Sequence, residues 1–241
     1  MQILLINPII RPEETPKYFP LGLGYIASSL IRDGHQVSVM DLSADPYDED
    51  RFNTRLRATR AEVIGITGLI TEYRQIIDLS ERVRHQLPEA RLILGGGIAS
   101  LEPGLMLKRS GAEAVVIGEG EAAVRKLIKC FDAGDAIDTV SGIAFMKDGE
   151  PVIQPPEDPI MDLDALPHPA WDLFPADVYF NNMRDCWLFS GSLKTASIIT
   201  SRGCPYKCVY CDHSIWGRRH RRRTPDSVMG ELYELKRRYD I

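Results

Sequence analysis

The sequence predicts an α/β fold built on a five-stranded parallel sheet, and three observations support this prediction. Short apolar segments recur along the chain up to Ile117, patterns of helical spacing separate them, and glycines directly follow the last three segments. Strands that alternate with helices form parallel sheets whose two faces are covered. The strand order expected for such a chain is flavodoxin-like (Rossmann-like), with ligands bound outside the carboxyl ends of the strands.

The individual elements follow from hydrophobic spacing and from stop signals. Buried strands are predicted at residues 2–7, 36–41, 62–67, 91–94 and 114–117. Apolar residues from Leu23 to Ile31 recur at helical spacing, and Asp33-Gly34-His35 ends that helix. A second helix is predicted over 72–87, and a third begins at Gly118-Glu119-Gly120-Glu121 and runs to about Phe131.

The pattern changes beyond residue 138. Apolar segments at 143–146 and 151–153 flank Asp148-Gly149, which is a hairpin signal. Seven prolines lie from Pro151 to Pro175, so we expect an extended, semi-rigid interdomain linker that Trp171 anchors against a domain surface. A strand over 196–200 then leads to the cysteines, and a helix begins near Thr224. We therefore predict an α/β domain over 1–138, a hairpin and proline-rich linker over 139–194, and an incomplete second unit over 195–241.

The composition is that of an ordinary folded protein. Of the 241 residues, 44% are hydrophobic and 26% are charged, with a net charge of −5, which excludes disordered, collagen-like and coiled-coil classes. No segment has the length of a membrane span or the basic start of a signal peptide. Five cysteines, three of them within eight positions, make a poor disulfide framework and indicate a metal or cluster loop in a reducing compartment. A cytoplasmic protein is therefore expected.

The three crowded cysteines, Cys204, Cys208 and Cys211, lie on one short loop directly after the last predicted strand. Three cysteines can each hold one iron of a four-iron cluster and leave the fourth iron open to a ligand. The alternative is a zinc ion held by the same cysteines and His213. Zinc sites are usually built from two separated pairs of ligands, and the sequence has no second pair, so the cluster is favoured.

The loop and its surroundings resemble a known enzyme family. Ser201-Arg202-Gly203 and the cysteine loop, with Tyr210 before the last cysteine, resemble the CxxxCxxC signature of radical S-adenosylmethionine enzymes. The motifs PLGLGYIASSLIRDGH, GITGLI, LGGG, VVIGEGE, DGE and DLDALPHPAWDLF precede it in the order seen in members that carry a cobalamin-binding domain. The chain is therefore identified as a member of the cobalamin (B12)-binding-domain radical S-adenosylmethionine proteins, and residues 195–241 as the first βα unit of their partial TIM barrel.

The resemblance implies cofactors, an activity and partners. Cys204, Cys208 and Cys211 would hold a 4Fe-4S cluster, S-adenosylmethionine would bind its open iron, and Tyr210 would lie beside the adenine. One electron from the cluster would cleave S-adenosylmethionine to methionine and a 5′-deoxyadenosyl radical, which abstracts hydrogen from an unactivated carbon, with methyl transfer as one outcome. A one-electron reductant such as flavodoxin or ferredoxin and a small-molecule or peptide substrate are the expected partners; a membrane is not, and nucleic acid is disfavoured.

The resemblance also implies a cobalamin site in the first domain. Its contacts would come from three glycine-containing loops at the carboxyl ends of the strands: Thr67-Gly68-Leu69, Gly95-Gly96-Gly97 and Gly118-Glu119-Gly120. The alternative is a purely structural role, in which these glycines only form tight turns. The DxHxxG motif, which supplies a histidine ligand below the cobalt, is missing after the first strand, and His35 is expected at a helix end. Cobalamin is therefore expected without a histidine ligand.

Other functions fit the residues less well. Gly22-Leu23-Gly24 resembles part of a dinucleotide fingerprint, with Asp41 as its ribose-binding acid, but the fingerprint must follow the first strand immediately. Methylthiotransferases would need cysteines in the first domain, and a receiver domain would need aspartates where Asn7 and Thr67 stand. The basic run 218–223 could bind RNA, although a solvated segment is favoured. A non-catalytic cobalamin- or cluster-binding fragment remains open, with residues from about 195 onward poorly supported.

Overall fold

The computed structural model describes residues 1–9, 18–45, 48–181 and 194–241; for Asn181 it describes the backbone only. Part of the loop after the first strand, where the DxHxxG motif would lie, therefore falls outside the described residues. The same holds for Cys186, which we interpreted as an ordinary small apolar residue. None of the helices within the described ranges is long and apolar enough to cross a lipid bilayer.

A seven-stranded sheet forms the centre of the fold, with the order β2-β1-β3-β4-β5-β6-β7. Its strands are β1 (Gln2–Asn7), β2 (Gln36–Asp41), β3 (Val63–Ile66), β4 (Arg91–Leu94), β5 (Ala114–Val116), β6 (Ile143–Lys147) and β7 (Glu150–Ile153). The first five are parallel and adopt the flavodoxin-like order, so the predicted parallel sheet is confirmed. The hairpin β6–β7 is also confirmed, but it continues the same sheet in antiparallel fashion beside β5.

Eight α-helices surround this sheet in the described residues: α1 (Leu21–Arg32), α2 (Glu49–Ala58), α3 (Tyr73–Gln86), α4 (Gly97–Leu101), α5 (Pro103–Ser110), α6 (Gly120–Ala133), α7 (Ala176–Asn181) and α8 (Pro225–Tyr239). Alternate strand residues face opposite sides of the sheet. Ile3 and Leu5 pack with α1 and α6 on one face, whereas Leu4 and Ile6 pack with α2, α3 and α5 on the other. The sequence did not predict α2, which buries only Phe52 and Leu56.

The proline-rich segment is more than a linker, because it contributes to the hydrophobic core. Trp171 and Phe180 are almost completely buried, and Phe19, which precedes α1, packs against the Trp171 ring at a centroid distance of 4.2 Å. The anchoring role of Trp171 is thus confirmed. The prolines keep the segment extended, while the aromatic residues between them supply the surface that holds it to α1.

The C-terminal segment contains one short hairpin and one long helix. The predicted strand over 196–200 is wrong in its bounds: β8 (Ser201–Arg202) pairs with β9 (Arg221–Arg222), whereas 196–200 has no neighbouring strand among the described residues. Helix α8 begins after the Thr224 cap as predicted and buries Leu235. Met229, Leu232 and Tyr233 on the same helix are exposed.

Replacement of Trp171 by alanine tests whether the proline-rich segment stabilises the α/β core. We expect Trp171→Ala to lower the free energy of unfolding by about 3–5 kcal/mol, because a buried indole is lost and a cavity remains. Urea unfolding followed by circular dichroism measures the change. Tyr206→Ala, which removes a 71% exposed ring, is the control and should change stability by less than about 0.5 kcal/mol. An equally small effect of Trp171→Ala would contradict the packing.

Candidate functional site

A cavity lies at the carboxyl ends of the parallel strands, where α/β sheets bind their ligands. Its volume is about 820 Å³ when the space at its open mouth is included. The ends of β1, β3, β4 and β5 form its floor, and α1 and the start of α6 form its sides. The lining residues are Leu5, Gly22, Leu23, Ile26, Gly65, Ile66, Thr67, Ile93, Leu94, Gly95, Gly96, Val116, Gly118, Glu119, Gly120, Glu121, Val124, Ile215 and Trp216.

Most of the glycine-loop residues singled out from the sequence meet at this cavity. Six of them line it: Thr67, Gly95, Gly96, Gly118, Glu119 and Gly120. The other three, which are Gly68, Leu69 and Gly97, do not line the cavity. The backbone of Gly68 nevertheless packs closely against Gly96. Gly96 has a φ of +88°, and a Cβ there would lie 2.7 Å from the Gly68 carbonyl oxygen and 2.8 Å from Thr67 Oγ1. Only glycine fits at this point, because both its backbone angle and its neighbours exclude a side chain.

The roof of the cavity comes from a distant part of the sequence. Ile215 and Trp216 follow the cysteine loop, yet they line the cavity together with the glycines, and a Cβ at Gly118 would lie 3.8 Å from the Ile215 carbonyl oxygen. The sequence contained a weak signal for this placement, since Ile215 and Trp216 form an apolar pair within a polar and basic segment. The structure thus brings the segment beside the cysteines to the ligand-binding edge of the first sheet.

A cluster of buried charged residues joins these two parts of the chain. We call Glu119, Glu121, Arg202 and Arg221 the buried ion-pair cluster. Arg202 donates from Nη2 to Glu121 Oε1 at 2.6 Å and from Nη1 to Glu119 Oε2 at 3.3 Å. Arg221 pairs with the other oxygen of Glu119. All four side chains are at most 7% exposed. The sequence indicated Glu119 as a cobalamin contact, but its carboxylate pairs with Arg202 and Arg221.

Arg202 also lies between two aromatic rings. Its guanidinium carbon is 4.5 Å from the centre of the Trp216 ring and 5.1 Å from that of Tyr25. Guanidinium groups stack favourably on aromatic faces, especially where water is excluded. Burial, together with the nearby Glu231 carboxylate, raises the pKa of Tyr25 to about 12, so this phenol stays neutral and presents its ring to Arg202.

The basic run 218–223 differs from the solvated segment that we predicted. Arg221 and Arg223 are buried, and Arg223 pairs with the fully buried Glu231 of α8. Arg222 between them is exposed, because successive residues of the strand β9 point to opposite sides. Two of the five arginines thus serve internal pairing, which leaves a smaller basic surface for RNA than the sequence indicated.

Most of the cysteine loop is exposed to solvent. Cys208 and Cys211 are exposed and Cys204 is half-buried. The loop begins at Gly203, whose φ is +77° and where a Cβ would collide with the carbonyl oxygen of Arg219. Among the described residues, no group of three or more His, Cys, Asp or Glu side chains is gathered closely enough to hold a metal ion. The structure therefore assembles neither the cluster set nor the zinc set with His213, and Tyr210 is 88% exposed.

The remaining candidate binding residues lie away from this cavity or already have partners. His35 lies beside the Met1 amino group, at the N-terminal ends of the strands. The cavity lies at their carboxyl ends, so His35 is no ligand for a group bound in the cavity. Asp41 accepts hydrogen bonds from Asn7 Nδ2 at 2.8 Å and from the Tyr179 hydroxyl at 2.5 Å. Gly24 lies inside α1, against Phe19. The dinucleotide interpretation of these residues is therefore unsupported.

The first part of the chain is similar to a known domain family. Residues 15–128 match the family model described as the B12 binding domain. Most of the residues that line the cavity belong to this segment; Leu5, Ile215 and Trp216 lie outside it. The glycines of the cavity floor let the backbone come close to a bound group, and none of the described residues that line the cavity is a histidine.

The similarity to known proteins extends beyond the B12-binding domain. The chain is 27% identical to the cytidylyl-2-hydroxyethylphosphonate methyltransferase of Streptomyces wedmorensis, over 100% of this chain and 53% of that protein. It is 29% identical to the anaerobic magnesium-protoporphyrin IX monomethyl ester cyclase of a Synechocystis strain, over 100% of this chain and 48% of that protein. The chain thus spans about half the length of these curated relatives.

A solved structure shares the fold. The cobalamin-dependent S-adenosylmethionine radical enzyme OxsB, with aqua-cobalamin and S-adenosylmethionine bound, superposes with a TM-score of 0.83 at 19% identity, over 98% of this chain and 31% of that one. This superposition shows a shared fold. Together with the family match and the similarity to the two curated relatives, it confirms the predicted resemblance to cobalamin-binding-domain radical S-adenosylmethionine proteins.

Two neighbouring glycines offer a matched test of the cavity floor. Gly96→Ala should lower the free energy of unfolding by about 1–3 kcal/mol, because a side chain at its φ of +88° is strained and collides with Gly68. Gly95→Ala is the control, since a Cβ at Gly95 meets no atom within 4 Å, and it should change stability by less than about 0.5 kcal/mol. Thermal and urea unfolding measure both. Equal effects of the two variants would contradict the described floor.

Proposed function

We propose that this chain is the cofactor-binding portion of a cobalamin-dependent radical S-adenosylmethionine enzyme. One observation carries the proposal above the others: the cavity of the B12-binding domain is roofed by Trp216, five residues after the last of three closely spaced cysteines. The proposed cobalamin site is thus bordered by the segment that follows the proposed cluster loop, an arrangement that a domain which only stores cobalamin would not need.

Cobalamin is proposed to occupy the cavity without a histidine ligand. Gly95, Gly96 and Gly118 would let the corrin lie close to the strand ends, and Thr67 offers the one hydroxyl among the lining residues. The apolar side chains of Leu23, Ile26 and Val124 would exclude water from the ring. The carboxylates of Glu119 and Glu121 are neutralised by arginines, so they present no unpaired charge to the ligand.

Cys204, Cys208 and Cys211 are proposed to hold a 4Fe-4S cluster that binds S-adenosylmethionine through its open iron. The chemistry of the donors fits this group, because three thiols on one loop can each bind one iron, although the described loop does not gather them closely enough to hold a metal. Bound together, these cofactors supply reductive cleavage of S-adenosylmethionine and methyl transfer or radical chemistry at an unactivated carbon. The chain itself would present the thiols on an exposed loop. Tyr210 would contact the adenine, and the two ends of the loop would hold it beside the cavity wall.

The remaining proposals concern partners and location. The exposure of Cys208 and Cys211 would let a one-electron donor such as flavodoxin or ferredoxin approach the cluster. Exposed thiols of this kind persist in a reducing compartment, so we place the protein in the cytoplasm. The substrate is proposed to be a small molecule or a peptide; the named activities of the two relatives, a methyltransferase and a cyclase, leave both reaction types open. The second candidate, a non-catalytic binding fragment, has the same sites and differs only in turnover.

Titration with hydroxocobalamin tests the first site. The wild-type chain should bind it with a change in the visible spectrum, and Gly95→Leu should weaken binding by at least about tenfold, because the side chain would enter the cavity. Ala133→Leu adds the same side chain at an exposed position of α6, and His35→Ala removes an imidazole at the opposite edge of the sheet. Both should bind like the wild type. A wild-type chain that takes up no cobalamin would disprove this part of the proposal.

Anaerobic reconstitution with iron and sulfide tests the second site. The wild-type chain should take up about four iron atoms. After reduction it should give an electron paramagnetic resonance signal that changes when S-adenosylmethionine is added. Cys208→Ser should lose most of this iron, whereas Cys130→Ser, on α6 and outside the loop, should retain it. A wild-type protein that takes up one zinc ion and no iron would instead establish the zinc alternative with His213.

A further inference from the structure

Both ends of the cysteine loop are fixed to the B12-binding domain. Arg202, two residues before Cys204, is held by Glu119 and Glu121 at the start of α6. Trp216, five residues after Cys211, lines the cavity and lies against the guanidinium of Arg202. The two ends therefore meet each other at the cavity wall.

The tip of the loop has few contacts of its own. Cys208 and Cys211 are exposed, and the side chains of Tyr206, Val209 and Tyr210 are at least 71% exposed. Segments with few buried contacts open at low free energy, and their order depends on what holds their ends. Arg218 Nη1 donates to the Tyr206 carbonyl oxygen at 2.9 Å, and the other contacts that hold the tip are those of its two ends, where Arg202 and Trp216 lie.

We infer that Arg202, Glu119, Glu121 and Trp216 are positioning residues that couple occupancy of the cavity to the order of the cysteine loop. A ligand in the cavity packs against Trp216 and fixes the C-terminal end of the loop. Trp216 cannot then leave Arg202, and Arg202 cannot leave Glu121 without exposing a buried carboxylate that has lost its partner. This inference rests on the proposed function, in that the ligand is cobalamin.

The coupling is reciprocal. If cobalamin stabilises the ordered loop by a given factor, ordering of the loop must raise the affinity for cobalamin by the same factor. The buried ion-pair cluster would therefore help the chain to fill both cofactor sites together. If the buried ion-pair cluster serves only to stabilise the fold, substitutions in it will lower the stability of the protein but leave the effect of cobalamin on the cysteine loop unchanged.

Limited trypsin digestion of the full 241-residue chain, free of iron, measures the order of the loop. Lys207 lies in the exposed tip and Arg218 just beyond Trp216, and both are accessible. Hydroxocobalamin should slow cleavage at these two sites by at least about fivefold, the lower range of allosteric coupling, because cleavage follows the population of the open loop. Arg60, exposed between α2 and β3, is the internal control and should be cut at an unchanged rate.

Variants separate coupling from stability. At hydroxocobalamin concentrations that saturate each variant, Glu121→Gln should reduce the protection of Lys207 to less than about twofold. Trp216→Ala also loses a contact with the ligand and should bind it more weakly, but at saturation it should show the same loss of protection. It leaves no buried charge unpaired, so it serves if Glu121→Gln fails to fold, and Trp216→Phe should restore most of the protection. Asp33→Asn, which breaks an exposed ion pair with Arg125, is the matched control and should keep the full protection.

The outcomes distinguish this inference from the function on which it rests. If the wild-type chain binds no hydroxocobalamin, the proposed function and the inference both fall. If it binds hydroxocobalamin but Lys207 and Arg218 are cut at the same rate as before, only the coupling is overturned. If Glu121→Gln and Trp216→Ala lower stability yet keep the wild-type protection, the residues are structural and the coupling is likewise overturned.

Discussion

The side chain of Arg202 meets two carboxylates in a place that water does not reach, and the rest of the structure depends on this contact. Arg202, Glu119 and Glu121 are at most 7% exposed. Removal of one partner from such a set typically costs about 3–5 kcal/mol, because the remaining charge is buried without compensation. The segment before the cysteines therefore cannot leave the start of α6 at low energy. Its position fixes the cysteine loop, and Trp216 on Arg202 fixes the roof of the cavity.

The same contact explains why an acidic loop can border an apolar cavity. Gly118-Glu119-Gly120-Glu121 brings two carboxylates to the N-terminus of α6, where the helix dipole also favours negative charge. Unpaired, they would repel an apolar ligand and keep water in the cavity. Paired with Arg202 and Arg221, they form a neutral wall. The glycines of this loop allow a ligand to come close to the backbone, while its two glutamates pair with arginines of the C-terminal segment. One short motif therefore serves both the cavity and the C-terminal segment.

The sequence predicted what depends on local patterns and missed what depends on distant contacts. The five parallel strands follow from apolar runs, and the glycines that end three of them led to the cavity floor. Helix α2 was missed because Phe52 and Leu56 alone do not make a periodic pattern. The pairing of Arg202 with Glu121 joins residues 81 positions apart, and no local pattern encodes it. The burial of Arg221 and Arg223 needed the strand β9, whose alternation is invisible in an unbroken basic run.

Rigid ends and an exposed tip answer two opposed requirements of one site. The proposed cluster, with its open iron, would have to be reached by S-adenosylmethionine, by a reductant and by substrate, so its thiols would have to lie near solvent. Its position must also be held closely, because reacting groups that are displaced by about 1 Å lose much of their effectiveness. An exposed loop alone meets the first requirement and fails the second. Here the tip carries Cys208 and Cys211 in the open, while the buried charge of Arg202 and the ring of Trp216 hold its ends. Accessibility and position are thus assigned to different residues of the same short segment.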